Sequence, residues 1–447
     1  MLSKKLVFVS LMAASMALSG CSLVKKNEPE VPIEGENAAY TVMIYMCGSN
    51  LESGNDGYST DVNNAGYATE DISEILSISG QPKDVNVIIE TGGALAWKST
   101  YGIPSNKLGR WHVENKKLVK DEFLNNANMG ASSTFQSFLE WGLSKYPADK
   151  TGVILWNHGG ATRGVCNDET SAGNNDALLA SEVNTALTNA FKRVGRKEKL
   201  EWIGYDACLM QVQDIAEKNS EFFNYMIGSE ESEAGEGWAY DHWIDDLYAK
   251  KETPAILTEI CDSFVEVYEQ KWGSHYDNDQ TLSFLDLSKM PAYKTAWENF
   301  ATAVKSNISN ASSFQTTAKK AKTYGTDVYT KQEMQEMGIY YDYADYGIEH
   351  IGNYYYDYGY LYFGTFDAYD FLSKVKNDFS SVSSQATAAM NAFKQLVVHN
   401  AKGDEAGESN GLCCYFPCHS RCEKSKYYSS SETNFTNWRT VVNTLGA

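Results

Sequence analysis

The sequence predicts an α/β fold built around a mostly parallel sheet, and three observations support this prediction. Short β-branched and aromatic runs alternate with longer segments whose apolar residues recur at helical spacing. One run, 152–157 (GVILWN), is apolar throughout, which is typical of a strand buried on both faces of a parallel sheet. The composition, 43% hydrophobic and 21% charged over 447 residues, excludes a wholly disordered or fibrous chain. Strands that alternate with helices require crossover connections, and these produce parallel pairing.

The first half of the chain carries the regular alternation. Its predicted strands are 40–47, 85–90, 152–157, 201–206 and 223–229. Its predicted helices, chosen by apolar spacing and capping residues, are 72–78, 133–143, 179–194 and 208–218. Ligands of such sheets bind beyond the carboxyl ends of the strands, so the residues that follow each strand are the candidates for chemistry.

The second half is less regular. We predict helices over 256–268, 290–310 and 381–399 and a strand over 281–287. Residues 339–363 carry ten tyrosines among glycines and acids, within an insertion predicted near 324–363. This segment is interpreted as an irregular aromatic surface, with a binding patch for peptide or glycan as the alternative.

The N-terminus has the features of an export signal. Lys4 and Lys5 precede an apolar stretch, 6–18, that is too short for an ordinary membrane-spanning helix. The stretch ends in Leu18-Ser19-Gly20-Cys21, which resembles the lipobox of bacterial lipoproteins and implies that Cys21 is lipidated after removal of residues 1–20. The alternative is an ordinary signal peptide with a chance cysteine. Residues 21–38 are polar and predict a flexible tether, so we expect an extracytoplasmic protein anchored to the membrane through Cys21.

Charge and cysteine content restrict the partners. The net charge of −20 disfavours nucleic acid and is explained either by solubility alone or by weak attraction of cationic substrates.

Export permits disulfides, and four cysteines cluster near the C-terminus with one histidine, at Cys413, Cys414, Cys418, His419 and Cys422. Their spacing is not a standard zinc pattern, so disulfides are favoured over a metal site.

A histidine and a cysteine follow two predicted strands. His158 comes after 152–157 and is followed by Gly159, while Cys208 comes after 201–206. A thiol nucleophile needs a nearby base and N–H donors for an oxyanion, which the backbone of Gly159 and Cys208 would supply. A helix beginning at Cys208 would lower the pKa of its thiol. The alternatives are a packed histidine and an inert buried thiol.

Several segments, in order, resemble clostripain-type peptidases (family C11), which belong to the caspase-like clan. They are YTVMIYMCGSNLE, NMGASSTFQSFLEWGLSKYPADKTGVILWNHGGA, IGYDACLMQVQDIA, GSEESEAGEGWAYDHWIDDL and NGLCCYFP. The resemblance implies a caspase-like α/β/α sandwich over 39–425, with C-terminal insertions and a separate segment 426–447. It makes His158 the catalytic histidine, Cys208 the nucleophile and Asp206 the acid that selects Arg or Lys at P1. The alternative for Asp206 is an exposed loop acid.

The expected function is that of a secreted, lipid-anchored cysteine endopeptidase that cleaves after Arg or Lys. The alternatives are a non-catalytic surface binding lipoprotein on the same scaffold, and an amidase or transpeptidase that uses the same cysteine.

The sequence requires no cofactor, although the resemblance leaves calcium open. Cys47 stands in a turn that is acidic in the family, which puts ion binding there in doubt. Self-processing, if it occurs, is expected after Arg163 or within 192–199.

Overall fold

A computed structural model describes most of the chain. The described residues are 30–54, 66–168, 170, 176–273, 278–325, 327–330, 349–351, 354–357, 363–419, 422 and 428–447. The predicted signal peptide, Cys21 and most of the tyrosine-rich segment lie outside them. In the described part no helix is long and apolar enough to cross a membrane.

The strands form one large sheet and three small ones. In chain order they are β1 (Ala38–Cys47), β2 (Val85–Gly92), β3 (Lys107–Glu114), β4 (Lys117–Asn125), β5 (Ala148–Trp156), β6 (Val165–Asp168), β7 (Asp176–Leu178), β8 (Leu200–Asp206), β9 (Phe223–Gly228), β10 (Thr281–Asp286), β11 (Asp327–Thr330), β12 (Glu349–Ile351), β13 (Tyr354–Asp357), β14 (Thr365–Asp367), β15 (Val397–Lys402) and β16 (Cys413–Tyr415). The large sheet has the order β15-β10-β9-β8-β5-β1-β2-β3-β4. Its five central strands, β9 to β2, are parallel, which confirms the predicted sheet.

The helices cover both faces of this sheet. They are α1 (Ser49–Ser53), α2 (Tyr67–Ser77), α3 (Ser132–Lys145), α4 (Ala180–Val194), α5 (Gln213–Asn219), α6 (Tyr240–Tyr248), α7 (Thr253–Trp272), α8 (Met290–Asn307), α9 (Ala311–Ala318), α10 (Ala368–Asp378), α11 (Ser383–Leu396) and α12 (Thr436–Leu445). Apolar residues of α2, α6 and α7 pack in one core, and those of α3, α4, α5 and α8 pack in the other. The architecture is therefore the expected α/β/α sandwich.

Two local predictions were wrong, and one hairpin was missed. The helix predicted over 208–218 begins only at Gln213, because Leu209 has a φ of +65° and Val212 forms a bridge with Cys413 instead. The helix predicted over 381–399 ends at Leu396, where edge strand β15 begins. The antiparallel hairpin β3–β4 was not predicted, because β4 is a largely exposed edge strand with many charged residues.

No disulfide joins any of the eight cysteines in the described residues, contrary to expectation. Cys413 and Cys414 are consecutive on β16, so their side chains point to opposite faces of the strand. Both are buried, and the Cys413 thiol donates to Glu230 Oε1 at 3.6 Å. These thiols pack as small apolar side chains.

Nearby α12 also joins the core, where Trp438 lies edge-on to Trp297 with ring centroids 5.2 Å apart.

Candidate active site

The sheet places His158 and Cys208 close together beyond the carboxyl ends of its parallel strands. They follow β5 and β8, which are parallel neighbours paired with Trp156 opposite Asp206. Both residues line one cavity of about 240 Å³, together with Asp206 and Glu233. The structure thus joins the three polar residues singled out in the sequence and adds a fourth.

His158 is held by a residue that the sequence did not single out. Its Nε2 lies 2.6 Å from Oδ1 of Asn50, on α1 just after β1. Burial lowers the pKa of the imidazole below its ordinary value. The histidine is therefore neutral at pH 7 and able to accept a proton. The sequence feature that could have indicated Asn50 is its position just after β1, the strand next to β5.

Cys208 is a neutral thiol in this structure. Its Sγ accepts the backbone N–H of Glu233 at 3.2 Å and donates to the carbonyl oxygen of Glu233 at 3.8 Å. Burial, and then the negative charge of Glu233, raises the pKa of the thiol to about 12. The expected lowering by a helix N-terminus is therefore wrong, because α5 begins five residues later.

Gly159 lies against the backbone of Cys208. A Cβ on Gly159 would come within 2.1 Å of the Cys208 carbonyl oxygen, so only glycine lets the two loops approach so closely. Gly159 and Val165 face each other in an isolated antiparallel bridge whose hydrogen bonds are made by the neighbouring residues. Gly160 N–H donates to Gly164 O, and Cys166 N–H donates to His158 O. The Gly159 N–H group stays out of that ladder and is available to another acceptor.

Asp206 is buried rather than an exposed loop acid. Its side chain accepts the hydroxyl of Tyr240 at 2.8 Å, and a Cβ on Gly237 would lie 2.9 Å from its Oδ1. Gly237 has a φ of +66°, so this turn favours glycine both for its backbone and for its closeness to the acid. Burial raises the pKa of Asp206 to about 7.

Glu233 is a second acid of the cavity, which the sequence placed in a loop near the site without assigning it chemistry. Both of its carboxyl oxygens are buried, and neither has a hydrogen-bond partner in good geometry among the described residues. Burial, and then the charge of Asp206, raises the pKa of Glu233 well above its ordinary value. Burial therefore disfavours the charged form of both acids, and Asp206 is about half protonated at neutral pH.

No metal site can be assigned. In the described ranges no group of three or more His, Cys, Asp or Glu side chains is arranged to hold a metal ion. Calcium dependence stays a prediction without a site, and no chemical step below depends on calcium. Of the proposed self-processing positions, Arg163 closes a short 3₁₀ turn after the His158 loop, whereas 192–199 covers the last three residues of α4 and the connection to β8.

Comparison with known proteins gives consistent results. The sequence profile described as the clostripain family matches residues 45–443. Clostripain of Hathewaya histolytica is 24% identical over 456 residues, which cover 92% of this chain and 81% of that protein. An inactive zymogen C11 protease from Parabacteroides distasonis has a TM-score of 0.59 at 17% identity, covering 90% of this chain and 98% of that one. A secreted C11 cysteine protease from Bacteroides thetaiotaomicron, solved with an irreversible peptide inhibitor, has a TM-score of 0.57 at 16% identity, covering 90% of this chain and 100% of that one.

Proposed function

Because the chain belongs to the clostripain family and is therefore a cysteine endopeptidase, we propose that Cys208 is its nucleophile, His158 its base, and Arg or Lys its preferred P1 residue. The thiol and the imidazole line the same cavity, where a base can take the thiol proton during attack. The pKa of the thiol is raised and that of the imidazole is lowered, so the resting pair is neutral rather than an ion pair. Proton transfer then accompanies bond formation.

The reaction is acyl transfer through a thioester. Sγ of Cys208 attacks the scissile carbonyl carbon while His158 takes the thiol proton. The oxygen becomes negative and accepts the N–H groups of Gly159 and Cys208. The C–N bond then breaks, and the imidazolium gives its proton to the leaving amine. Water, deprotonated by His158, hydrolyses the thioester and restores the thiol.

One observation carries the specificity proposal: Asp206 and Glu233 are two acids in one cavity with no cation. No Lys or Arg occurs among the described residues that line it. Both acids pay a desolvation cost, seen in their raised pKa values, that a bound guanidinium or ammonium would offset. Arg and Lys side chains provide such groups at the position next to the scissile bond.

We also propose that the enzyme is extracytoplasmic and anchored through a lipidated Cys21. The described end of the polar segment is fixed to the domain rather than flexible, since Val31 N–H donates to Arg193 O and Glu34 N–H donates to Ser144 O at the ends of α4 and α3, so the proposed tether is the part that precedes it. This segment enters at the amino end of the parallel strands. His158 and Cys208 lie at the opposite edge, so substrate would approach on the side away from the tether.

The test is turnover of fluorogenic peptides that end in Arg, Lys or a neutral P1 residue. The wild type should cleave the basic peptides, and Cys208→Ala and His158→Ala should each lose nearly all activity while keeping the wild-type melting temperature. Asn224→Ala is a suitable control, because this exposed residue bonds Glu201 at the other edge of the sheet. Robust cleavage by folded Cys208→Ala would refute the assignment, and turnover of other acyl donors only would favour amidase or transpeptidase chemistry.

A further inference from the structure

The loop after β1 contacts His158, the proposed catalytic base. β1 and β5 are parallel neighbours, with Met46 opposite Trp156, so the chain emerging from β1 lies beside the chain emerging from β5. Asn50 is three residues beyond β1, and its Oδ1 lies 2.6 Å from Nε2 of His158. Among the described residues, this is the hydrogen bond that the structure gives the ring of His158.

Both partners of this hydrogen bond are fixed by Asn157. The Asn157 amide donates from Nδ2 to Cys47 O and to Ser49 Oγ, each at 2.7 Å, and accepts Asn167 N–H at 2.8 Å. Asn157 is buried and directly precedes His158, so it joins the two loops through their backbones. Ser49 is also buried and has a φ of +42°, a conformation that a serine keeps only where its surroundings enforce it.

The direction of the hydrogen bonds determines which atom Asn50 presents to the histidine. The Ser49 hydroxyl accepts from Asn157, so its own proton is free to be donated, and Oδ1 of Asn50 lies 3.3 Å away. The structure places the amide oxygen of Asn50, which only accepts, against this hydroxyl. Because the same oxygen faces Nε2 of His158, the ring must carry its proton on Nε2 and its lone pair on Nδ1.

We propose that Asn50 positions the base of the peptidase: its side-chain oxygen holds neutral His158 in the tautomer whose Nδ1 takes the thiol proton of Cys208. This inference rests on the roles proposed above for His158 and Cys208. Asn50 is a positioning residue, since it acts through the imidazole and takes no proton itself. Its amide is uncharged, so it orients the ring without stabilising the imidazolium strongly, unlike a carboxylate.

Other titratable groups near His158 are carboxyl groups and the thiol of Cys208. Asp206, Cys208 and Glu233 share its cavity. Glu52 lies on α1 with Asn50, but its carboxyl group accepts from Thr69 and from Lys98 N–H. These groups are unchanged in variants of Asn50, so a shift that appears only in such variants reports the contact with His158.

The experiment compares Asn50→Ala and Asn50→Asp with the control Asn224→Ala. Asn50→Ala should lower kcat about 10- to 100-fold with KM within about twofold, because the ring loses its orientation but the substrate pocket is intact. Asn50→Asp keeps an acceptor and should recover much of kcat. Its carboxylate raises the pKa of His158, so the acidic limb of the pH–rate profile should move up by about one unit.

Nitrogen NMR of the seven histidines provides a readout independent of turnover. His158, assigned with His158→Ala, should show a protonated Nε2 in the wild type and a tautomer mixture in Asn50→Ala. A wild-type ring protonated on Nδ1, an unchanged kcat in folded Asn50→Ala, or an unshifted acidic limb in Asn50→Asp would each overturn the proposal. If Cys208→Ala is still inactive in those cases, only the role of Asn50 fails; an active Cys208→Ala would instead refute the proposed nucleophile.

Discussion

Asp206 and Glu233 are both buried in the cavity that holds Cys208, and the charge of Asp206 raises the cost of ionising Glu233. The pKa of Asp206 is raised to about 7, and that of Glu233 is raised well above its ordinary value, with the charge of Asp206 as a cause. Glu233 also touches the nucleophile, because its backbone N–H donates to Sγ of Cys208. One loop thus carries both a specificity acid and a group in contact with the reacting sulfur.

The first prediction concerns selectivity at P1. Asp206→Asn should lower kcat/KM for Arg and Lys peptides by roughly two to three orders of magnitude, since a buried cation without its partner costs on the order of 3–5 kcal/mol. Glu233→Gln should lower it by about tenfold, because Asp206 remains. Cleavage of neutral-P1 peptides by both variants should stay within about threefold of wild type.

Asp404→Asn is the matched control, because this acid is exposed in the loop between β15 and β16. Iodoacetamide labelling of Cys208 shows whether the thiol of each variant survives. Equal losses for basic and neutral P1 peptides would mean that the acids support the loop rather than select the substrate.

The second prediction concerns pH. Because the pKa of Asp206 is raised to about 7, the carboxyl group is mostly protonated below that pH and cannot pair with a cation. The KM for Arg peptides should therefore fall as pH rises from 6 to 8, whereas the KM for neutral peptides should change little. Binding of an arginyl peptide inhibitor near pH 7 should release protons, which calorimetry in two buffers of different ionisation enthalpy measures. Net proton uptake would contradict this account.

The positions of His158 and Cys208 could be predicted because apolar periodicity locates strand ends. Parallel strands bring their carboxyl ends to one edge, so residues 50 positions apart in sequence become neighbours without knowledge of the loops. Asp206 was predictable for the same reason. The resemblance to clostripain-type peptidases then assigned the three residues their roles.

Glu233 and Asn50 could not be chosen in this way. Each lies in a loop whose direction depends on single backbone conformations, such as the φ of +66° at Gly237 and of +42° at Ser49. An acid in a loop is usually solvated, and nothing in the sequence indicates that Glu233 turns inward. The raised thiol pKa was missed for a related reason: burial decides it, and the helix expected to lower it starts five residues too late.

The third prediction concerns the N-terminus. Cys21→Ala should move the protein from the membrane fraction to the soluble fraction, or block its maturation, because a polar tether without lipid chains does not bind a bilayer stably. Peptidase activity of the released protein should match wild type, since the tether joins the domain at the edge opposite Cys208. Unchanged partitioning into detergent would contradict the lipidation proposal.

The fourth prediction separates two forms of self-processing. Arg163 lies in the turn after His158, at the active-site edge, whereas the basic residues of 192–199 precede β8 at the opposite edge. Cleavage within 192–199 should therefore require a second molecule and accelerate with protein concentration. Cleavage after Arg163 should be independent of concentration. Mass spectrometry of wild type and Cys208→Ala at several concentrations checks both; intact chains throughout would dismiss self-processing.

The fifth prediction is that a small guanidinium ion activates the thiol. Burial is the main cause of the raised pKa of Cys208, and the charge of Glu233 is the next. Ethylguanidine, a mimic of the arginine side chain, should bind in the cavity that the two acids line and neutralise that charge. At pH 8.5, where Asp206 is largely ionised, it should accelerate iodoacetamide alkylation of Cys208 about two- to fivefold, because more thiolate is present.

The comparison that isolates this effect is the double variant Asp206→Asn/Glu233→Gln. Without the acids, Cys208 should react faster than in wild type even without ligand, and ethylguanidine should no longer change the rate. Alkylation is followed on the peptide containing Cys208, because the other seven described cysteines are buried. Slower alkylation of the wild type with ethylguanidine would show that the cation blocks the sulfur instead. Substrate charge would then select the peptide without helping to activate the nucleophile.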